Sequence, residues 1–367
     1  MKYYLIAGEA SGDLHGANLM RALKERDQDA EFRFWGGDKM ESAGGELVMH
    51  YRDIAYMGFV EVAKNLRAIL RNLRFCKSDI EAFAPDALVL IDYPGFNMRI
   101  GAWARKHSLR AKICYYISPQ VWAWKEKRAI KLKHIVDQMF VILPFEKAFY
   151  RRYSFDVTYV GHPLLDVLEN QEPDQTFRSR YNLDERPIIA LLPGSRRQEI
   201  RNHLSMMLGA CRPFADYQIV IGGVSTVDPK EYKRMDHSHL IIDDTRALLS
   251  HARAAIVASG TATLETALLG VPQVICYKGS ALSYQIAKRL IKVPYISLVN
   301  LILNREVVTE LIQYDFTKAQ LQRELEKILE TDQAQPMMEA YQELFEKLGG
   351  PGASAKTAGA ILSMLSS

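Results

Sequence analysis

Arginines following a glycine turn give the first chemical signal. In "LLPGSRRQEIRNH", residues 191–203, an apolar run ends at Pro193 and a helical pattern follows. Gly194 and Ser195 would present backbone N–H groups at a helix N-terminus, where anions bind. Arg196 and Arg197 add forked cations suited to phosphate; the plainer alternative is a surface turn with two solvated arginines. A second turn lies in "ASGTATLETALLGVP", residues 258–272. There Ser259, Gly260, Thr261 and Thr263 offer hydroxyls and amides at another helix start. Glu265 follows in the first turns of that helix. A carboxylate facing a nucleotide accepts both ribose hydroxyls, and one at a helix start also complements the helix dipole. "VIGGVS", residues 220–225, is a third glycine turn. Together the three fit a nucleoside diphosphate better than any one alone.

A fourth turn opens the chain. Lys2–Ala7 reads as a strand, and "GEASGDLHG" follows it with two acids and three glycines. Gly8, Gly12 and Gly16 permit a tight turn and close approach to a ligand. Neither a P-loop lysine nor the G-x-G-x-x-G fingerprint is present. Glu9 and Asp13 argue against a bare phosphate cradle, and the plain alternative is a tight turn in which Ser11 or Asp13 caps the following helix.

These turns need parallel strands behind them. Apolar runs fall at 2–7, 31–35, 86–91, 112–117, 138–143 and 157–160, then at 187–192, 217–221, 239–242, 254–258, 272–277 and 295–299. Helical patterns separate them, so the fold class is α/β with two Rossmann-like parallel-sheet domains. The expected domains are 1–165, 166–345 and a C-terminal helix, 346–367, packing back on the N-terminal domain.

The 367 residues are 48% hydrophobic and 25% charged, a globular composition with room for two cores. No apolar run approaches the length of a membrane span. A signal peptide is not expected, because strand residues begin at once. Cys76, Cys114, Cys211 and Cys276 stand singly, without metal-ligand spacing, and read as reduced core residues. A cytosolic location is the natural expectation. The net charge of +4 is uneven: residues 52–152 hold 19 basic against 9 acidic side chains. That local excess suggests an anionic partner.

Nine segments, in order and nearly spanning the chain, carry a family resemblance. They are "AGEASGDLHGANL", "MGFVEV", "IDYPGFN", "YYISPQVWAWKEKR", "LPFEKAFY", "VGHPLLD", "LLPGSRRQEI", "ASGTATLE" and "SLVNLILNREVV". The chain resembles the lipid A disaccharide synthases, inverting glycosyltransferases of GT-B architecture, in which two Rossmann-like domains face a cleft. The resemblance implies transfer from UDP-2,3-diacylglucosamine to 2,3-diacylglucosamine 1-phosphate, giving a β(1→6) disaccharide and UDP. It implies Asp92, at the tip of "ALVLID", as the base; the residues alone also allow Asp92 as a helix cap or turn residue, and offer Glu9 and His15 of the opening loop as rival bases. It places Gly194, Ser195, Arg196, Ser259, Gly260, Thr261, Thr263, Glu265 and Asn300 at the donor, with Arg305 approaching the same cleft. Glu9, Ser11, Gly12, Asp13 and Asn97 fall to the acceptor side. One position departs from the family: its aspartate before Phe-Asn is Gly95 here, which leaves a side-chain role at 95 unsupported. No metal or other cofactor is expected, because such enzymes neutralise UDP with arginine and helix N-termini. The expected partners are the two acylated sugars and an anionic inner-membrane surface, with no nucleic acid and with a homodimer allowed. Other two-Rossmann UDP-sugar enzymes, such as an epimerase or an undecaprenyl-linked glycosyltransferase, and a non-catalytic nucleotide-sugar or nucleic-acid binder, remain the alternatives.

Two further segments bear on lipid substrates. Trp122 and Trp124 place indoles beside a basic run; indoles stack on sugars, sit at membrane interfaces or pack in cores. In residues 57–75, Phe59, Val62, Leu66, Ile69, Leu70 and Leu73 share a helical stripe about 100° wide. Lys64, Arg67, Arg71 and Arg74 lie on the neighbouring stripe. A helix at an anionic bilayer explains both stripes, and predicts peripheral association with the inner face of the inner membrane; a core helix explains only the first.

Overall fold

The computed structural model describes residues 1–54, 66–169, 174–224, 227–235, 239–280, 284–285, 289 and 293–366. Of the apolar stripe, Phe59, Val62 and the side chain of Leu66 lie outside the described residues. Two compact units emerge. The first comprises Met1–Glu169 and Gly349–Ser367, the second Asn170–Leu348.

The first unit holds strands β1 (Lys2–Ala7), β2 (Glu31–Gly36), β3 (Glu46–His50), β4 (Ala87–Ile91), β5 (Lys112–Tyr116), β6 (Gln138–Val141) and β7 (Thr158–Tyr159). All pair in parallel, in the order β3-β2-β1-β4-β5-β6-β7. β1 and β4 are buried along almost their whole length, which is why they read as continuous apolar runs. The second unit holds β8 (Ile188–Leu192), β9 (Gln218–Gly222), β10 (Leu240–Ile242), β11 (Ala252–Ala258), β12 (Gln273–Tyr277) and β13 (Glu310–Ile312). They too are parallel, in the order β10-β9-β8-β11-β12-β13.

Both units are thus Rossmann-like, and both carry a topological switch point where the winding reverses. In the first it lies between β1 and β4, in the second between β8 and β11. Open α/β sheets bind ligands in the crevice outside the carboxyl ends of such strands. Register decides which residues meet there. Ala7 pairs with Ile91, so Gly8-Glu9 and Asp92 leave the first sheet side by side. Leu192 pairs with Val257, so Pro193–Arg196 and Ala258–Thr261 leave the second in the same way.

Two strands escape sequence reading and one reading is corrected. β3 and β13 are edge strands; β3 is only half-buried, in a polar stretch without a continuous apolar run. The apolar run at 295–299 is not a strand. Ser297 instead caps the helix Leu298–Leu303, its hydroxyl accepting from the Asn300 N–H at 3.2 Å. A capping serine outweighs the apolar run at that position.

The helix stripe also divides. In the helix Leu66–Phe83, Leu73 is buried and Ile69 half-buried, but Leu70 is 42% and Phe75 46% exposed. Arg67, Arg71 and Arg74 are exposed. Among the described residues, no helix is long and apolar enough to cross a membrane.

The helix Ala353–Leu365 joins the first core through Ala353, Ala358 and Ile361, packing on the helix Ala10–Lys24. Its N-terminal N–H groups are taken by one distant carboxylate: Asp166 accepts from Gly352, Ala353 and Ser354 at 2.6–3.0 Å. A lost N-cap costs about 0.5–2 kcal/mol. Asp166→Ala should therefore lower the melting temperature and speed hydrogen exchange across 353–365 before it does so in β1 or β4. Unchanged exchange in that helix would show that Asp166 does not hold it.

Candidate active site

At the first switch point the chain makes an unusual turn. Asp92 and Tyr93 both adopt left-handed backbone, with φ of 43° and 47°. Such conformations cost energy and persist only where surrounding structure imposes them. Asn97 supplies that hold. Fully buried, it brings its side-chain nitrogen within 2.8–3.2 Å of the Ile6, Ile91 and Asp92 carbonyls. The Tyr115 hydroxyl donates to the Asp92 carbonyl at 2.6 Å, and the Asp92 N–H reaches the Tyr116 carbonyl at 3.0 Å. The Tyr93 ring covers Gly8 so closely that a Cβ there would lie 2.3 Å from it. Gly8 is therefore required by a neighbouring ring.

The Asp92 carboxyl is half-buried, and its pKa is pushed up to about 7. Burial is the main cause, the charge of Glu9 the second, and the Tyr93 N–H opposes both. Two carboxylates leaving adjacent strands cannot both ionise freely. The result is a group poised to take a proton near neutral pH.

Other groups of the opening turn serve the fold. The helix Ala10–Lys24 begins before Asp13 and contains Ser11 and Gly12. Ser11 is exposed on its first turn. Asp13 caps a different helix, Asp38–Ala43, accepting from the Gly37, Lys39 and Met40 N–H groups at 2.8–3.1 Å. Gly12 and Gly16 let the helix lie close against Ala7 and Ile91. His15 is buried near His162, whose own pKa burial depresses to about 3. The Asp13 carboxylate and the Asn97 side-chain nitrogen are thus engaged within the unit, where they hold the opening turn and the strand ends in place.

At the second switch point the turn 193–196 is exposed at Ser195 and Arg196, and Gly194 has φ of +117°. The helix Arg197–Cys211 starts there. Glu199, not singled out from sequence, accepts the Ser195 N–H at 3.0 Å and pairs with Arg196 at 3.2 Å. An internal carboxylate thus occupies the donors that suit a phosphate. Its place in the first helical turn after the cap is a recognisable N-terminal signature. His203 braces the turn from beneath: its Nδ1 lies 2.9 Å from the Pro193 carbonyl and its Nε2 accepts the Lys278 N–H at 2.9 Å. Both bonds require the neutral ring with the proton on Nδ1, and burial lowers its pKa accordingly.

Across the switch point, Gly260 and Thr261 are exposed at the start of the helix Thr261–Leu268, which carries no side-chain cap. The Thr263 N–H turns to the Gly260 carbonyl at 3.1 Å, and the exposed first N–H groups ahead of it suit an anion. Glu265 is bound by Arg246 at 2.5 Å, a partner that sequence reading missed for want of any local spacing rule. Ser259 donates to the Ile296 carbonyl at 3.2 Å, and buried Thr263 to the Gly260 carbonyl at 2.8 Å. Asn300 is fully buried: its nitrogen donates to Val308 and Glu310, its oxygen accepts from Val307 and Val308, all at 2.8–3.1 Å. Thr263 and Asn300 thus brace the backbone around this switch point. Arg305 pairs on the surface with Glu343 at 2.6 Å. Among the described residues, no group of three or more His, Cys, Asp or Glu side chains is placed to hold a metal ion.

Comparison with known proteins agrees on family and fold. A family model described as lipid-A-disaccharide synthetase matches residues 3–363. The chain is 40% identical, over 98% of its length and 97% of the relative's, to a lipid-A-disaccharide synthase of Syntrophus aciditrophicus (strain SB). It is 36% identical, over 94% of its length and 92% of the relative's, to lipid-A-disaccharide synthase 1 of Legionella pneumophila. Among solved structures, the chain resembles a putative UDP-N-acetylglucosamine 2-epimerase from Listeria monocytogenes, with TM-score 0.70, 13% identity and coverage of 98% and 95%. It also resembles the calicheamicin glycosyltransferase CalG4, with TM-score 0.59, 16% identity and coverage of 100% and 99%. These structural likenesses bear on the fold alone.

Asp92 makes a pH-dependent contribution to stability. Its folded pKa, about 7, lies above the ordinary carboxylate value near 3.9. The folded state therefore keeps its proton longer, and this group's contribution falls as pH rises between those values. Asp92→Asn should melt above the wild type at pH 8, with the gain shrinking towards pH 4. Parallel melting curves from pH 4 to 8 would mean that Asp92 titrates as an ordinary carboxylate.

Proposed function

Because this chain belongs to the lipid-A-disaccharide synthase family, a glycosyltransferase family that forms the lipid A disaccharide, we propose that it transfers the sugar of UDP-2,3-diacylglucosamine to 2,3-diacylglucosamine 1-phosphate. The single observation that carries the mechanism is the Asp92 carboxylate, raised to about 7 beside Glu9 at the first switch point. Asp92 takes the proton of the acceptor 6-hydroxyl as its oxygen attacks the anomeric carbon. The bond from that carbon to the diphosphate oxygen breaks, and UDP leaves with inversion. The raised pKa supports this role, because a base is most effective when its pKa lies near the working pH.

Position 95 supports the same assignment. The family's aspartate there is Gly95 in this chain, exposed, with open space where a side chain would be. Asp92 is then the carboxylate of "IDYPGFN" available as base, and Glu9 keeps it basic.

The second unit binds the donor. Arg196, the Ser195 N–H and the uncapped helix start at Thr261 take the diphosphate. Fixed cations and amides there stabilise the charge that develops as UDP departs. Glu199 leaves Arg196 and Ser195 as the diphosphate arrives. Glu265 receives the ribose hydroxyls while Arg246 holds it in place. Peripheral attachment to an anionic membrane, through the exposed Leu70 and Phe75 beside Arg67, Arg71 and Arg74, is part of the same proposal.

UDP release with defined acylated sugars tests the reaction. Release only when the acylated acceptor is present supports it; epimerisation of the donor sugar without acceptor would overturn it. Asp92→Asn should lower turnover about 10²-fold or more while leaving UDP affinity nearly unchanged. In the wild type, log kcat should rise with pH and level off above about 7, because the base must be deprotonated. A flat profile, or near-normal turnover of Asp92→Asn, would remove the base assignment. Arg196→Ala should weaken UDP binding in calorimetry and slow transfer together; unchanged values for both would exclude Arg196 from the donor site.

A further inference from the structure

The loop leaving β5 carries a second feature that the reaction above does not use. Trp122 anchors it. Its ring is buried edge-on against Phe145, 4.9 Å between centroids, and its N–H donates to Glu146 at 3.2 Å. Glu146 is itself buried and also accepts from Ser118 at 2.7 Å and from the Ile142 and Leu143 N–H groups. That network fixes the chain at 118–122 and turns it outward at Trp124, which is 42% exposed.

Two cations are held on this exposed indole. The Lys125 ammonium lies 3.7 Å from the ring centroid and the Arg128 guanidinium 5.8 Å from it. The one acid nearby in sequence, Glu126, is engaged elsewhere: Tyr153 donates to it at 3.0 Å and Arg152 pairs with it at 3.7 Å. Among the described residues, neither Lys125 nor Arg128 forms an ion pair with a carboxylate. Like charges gathered without a counter-ion are costly; partial desolvation first, and the charge of Arg128 second, depress the Lys125 pKa. A dianionic group between them would relieve that cost. The pairing suits phosphate: a guanidinium fork, a mobile ammonium and a flat apolar ring against which a sugar face can rest.

The fold places this patch on the working edge of the sheet. β5 lies beside β4, with Tyr116 paired to Ile91, so the loop and Asp92 both leave from the same carboxyl edge. We propose that Trp124, Lys125 and Arg128 form the subsite for the phosphate of the acceptor sugar, with the indole against the sugar's apolar face. The proposal rests on the reading of the first unit as the acceptor-binding unit. It gives the enzyme a means of choosing a phosphorylated acceptor over its unphosphorylated counterpart.

The test compares two acceptors, 2,3-diacylglucosamine 1-phosphate and 2,3-diacylglucosamine, in neutral-detergent micelles. The full-length wild type should favour the phosphorylated sugar by about tenfold or more in KM, the order of one charge-assisted contact. In Lys125→Gln/Arg128→Gln that preference should fall towards one, with UDP affinity and melting temperature unchanged. Tryptophan fluorescence provides a readout independent of turnover: the phosphorylated sugar should perturb the wild type, and the signal should be lost in Trp124→Phe. KM rising equally for both acceptors, or a preference that survives the double substitution, would overturn the proposal. So would intact preference combined with lost binding to phosphatidylglycerol vesicles, which would assign the patch to bilayer lipid. A wild type that binds the phosphorylated sugar through Trp124 but transfers to neither acceptor would instead defeat the proposed reaction and leave the subsite standing.

Discussion

The side-chain amide of Asn97 ties together the ends of the two strands that part at the first switch point. One nitrogen reaches carbonyls on β1 and on β4 and a third, just beyond β4, that belongs to Asp92 itself. With Tyr115 donating to the same Asp92 carbonyl, the backbone there is held in a left-handed turn that an aspartate would otherwise avoid. The carboxylate is therefore presented at a fixed position beside Glu9 and partly out of water. Its raised pKa follows from that placement. Free in a loop, the same residue would titrate as an ordinary acid and make a poor base at neutral pH.

A different economy governs the second unit. The Ser195 N–H and the Arg196 guanidinium at its switch point are exposed, and Glu199 engages both from within. An internal carboxylate keeps Arg196 and the Ser195 N–H oriented while no external anion is bound, because a guanidinium and an amide without partners would be free to turn. The neutral imidazole of His203 keeps the turn itself in place, bridging Pro193 to Lys278.

Several polar residues in the most chemically suggestive segments are engaged within the fold. Asp13, Asn97, Thr263 and Asn300 are all buried, and each satisfies backbone groups that burial would otherwise leave unpaired. They matter to the chemistry by holding the strand ends and helix starts from which the exposed groups project. Glu146 does the same for the loop that displays Trp124.

The alternation of apolar runs with helical patterns determined the two parallel sheets, because strands buried on both faces cannot alternate with polar residues. The glycine turns at 8, 194 and 260 marked the carboxyl edges of those sheets beside the two switch points. The edge strands β3 and β13 were illegible: β3 is half-buried, β13 has only three residues, and neither carries the continuous apolar run of a central strand. The run at 295–299 misled, since a buried helix and a buried strand share the same apolar signal and only the Ser297 cap separates them. Partners distant in the chain were equally out of reach. Asp13 capping a helix from residue 38, Arg246 holding Glu265 and Asp166 capping the helix at 353 depend on how separate segments pack. Local spacing carries no trace of such pairs. Residue type and pattern settled which groups are chemically able; only register and burial decided that Asp92 and Glu9 stand together, that Glu199 fills the phosphate turn, and that Trp122 turns inward while Trp124 faces out.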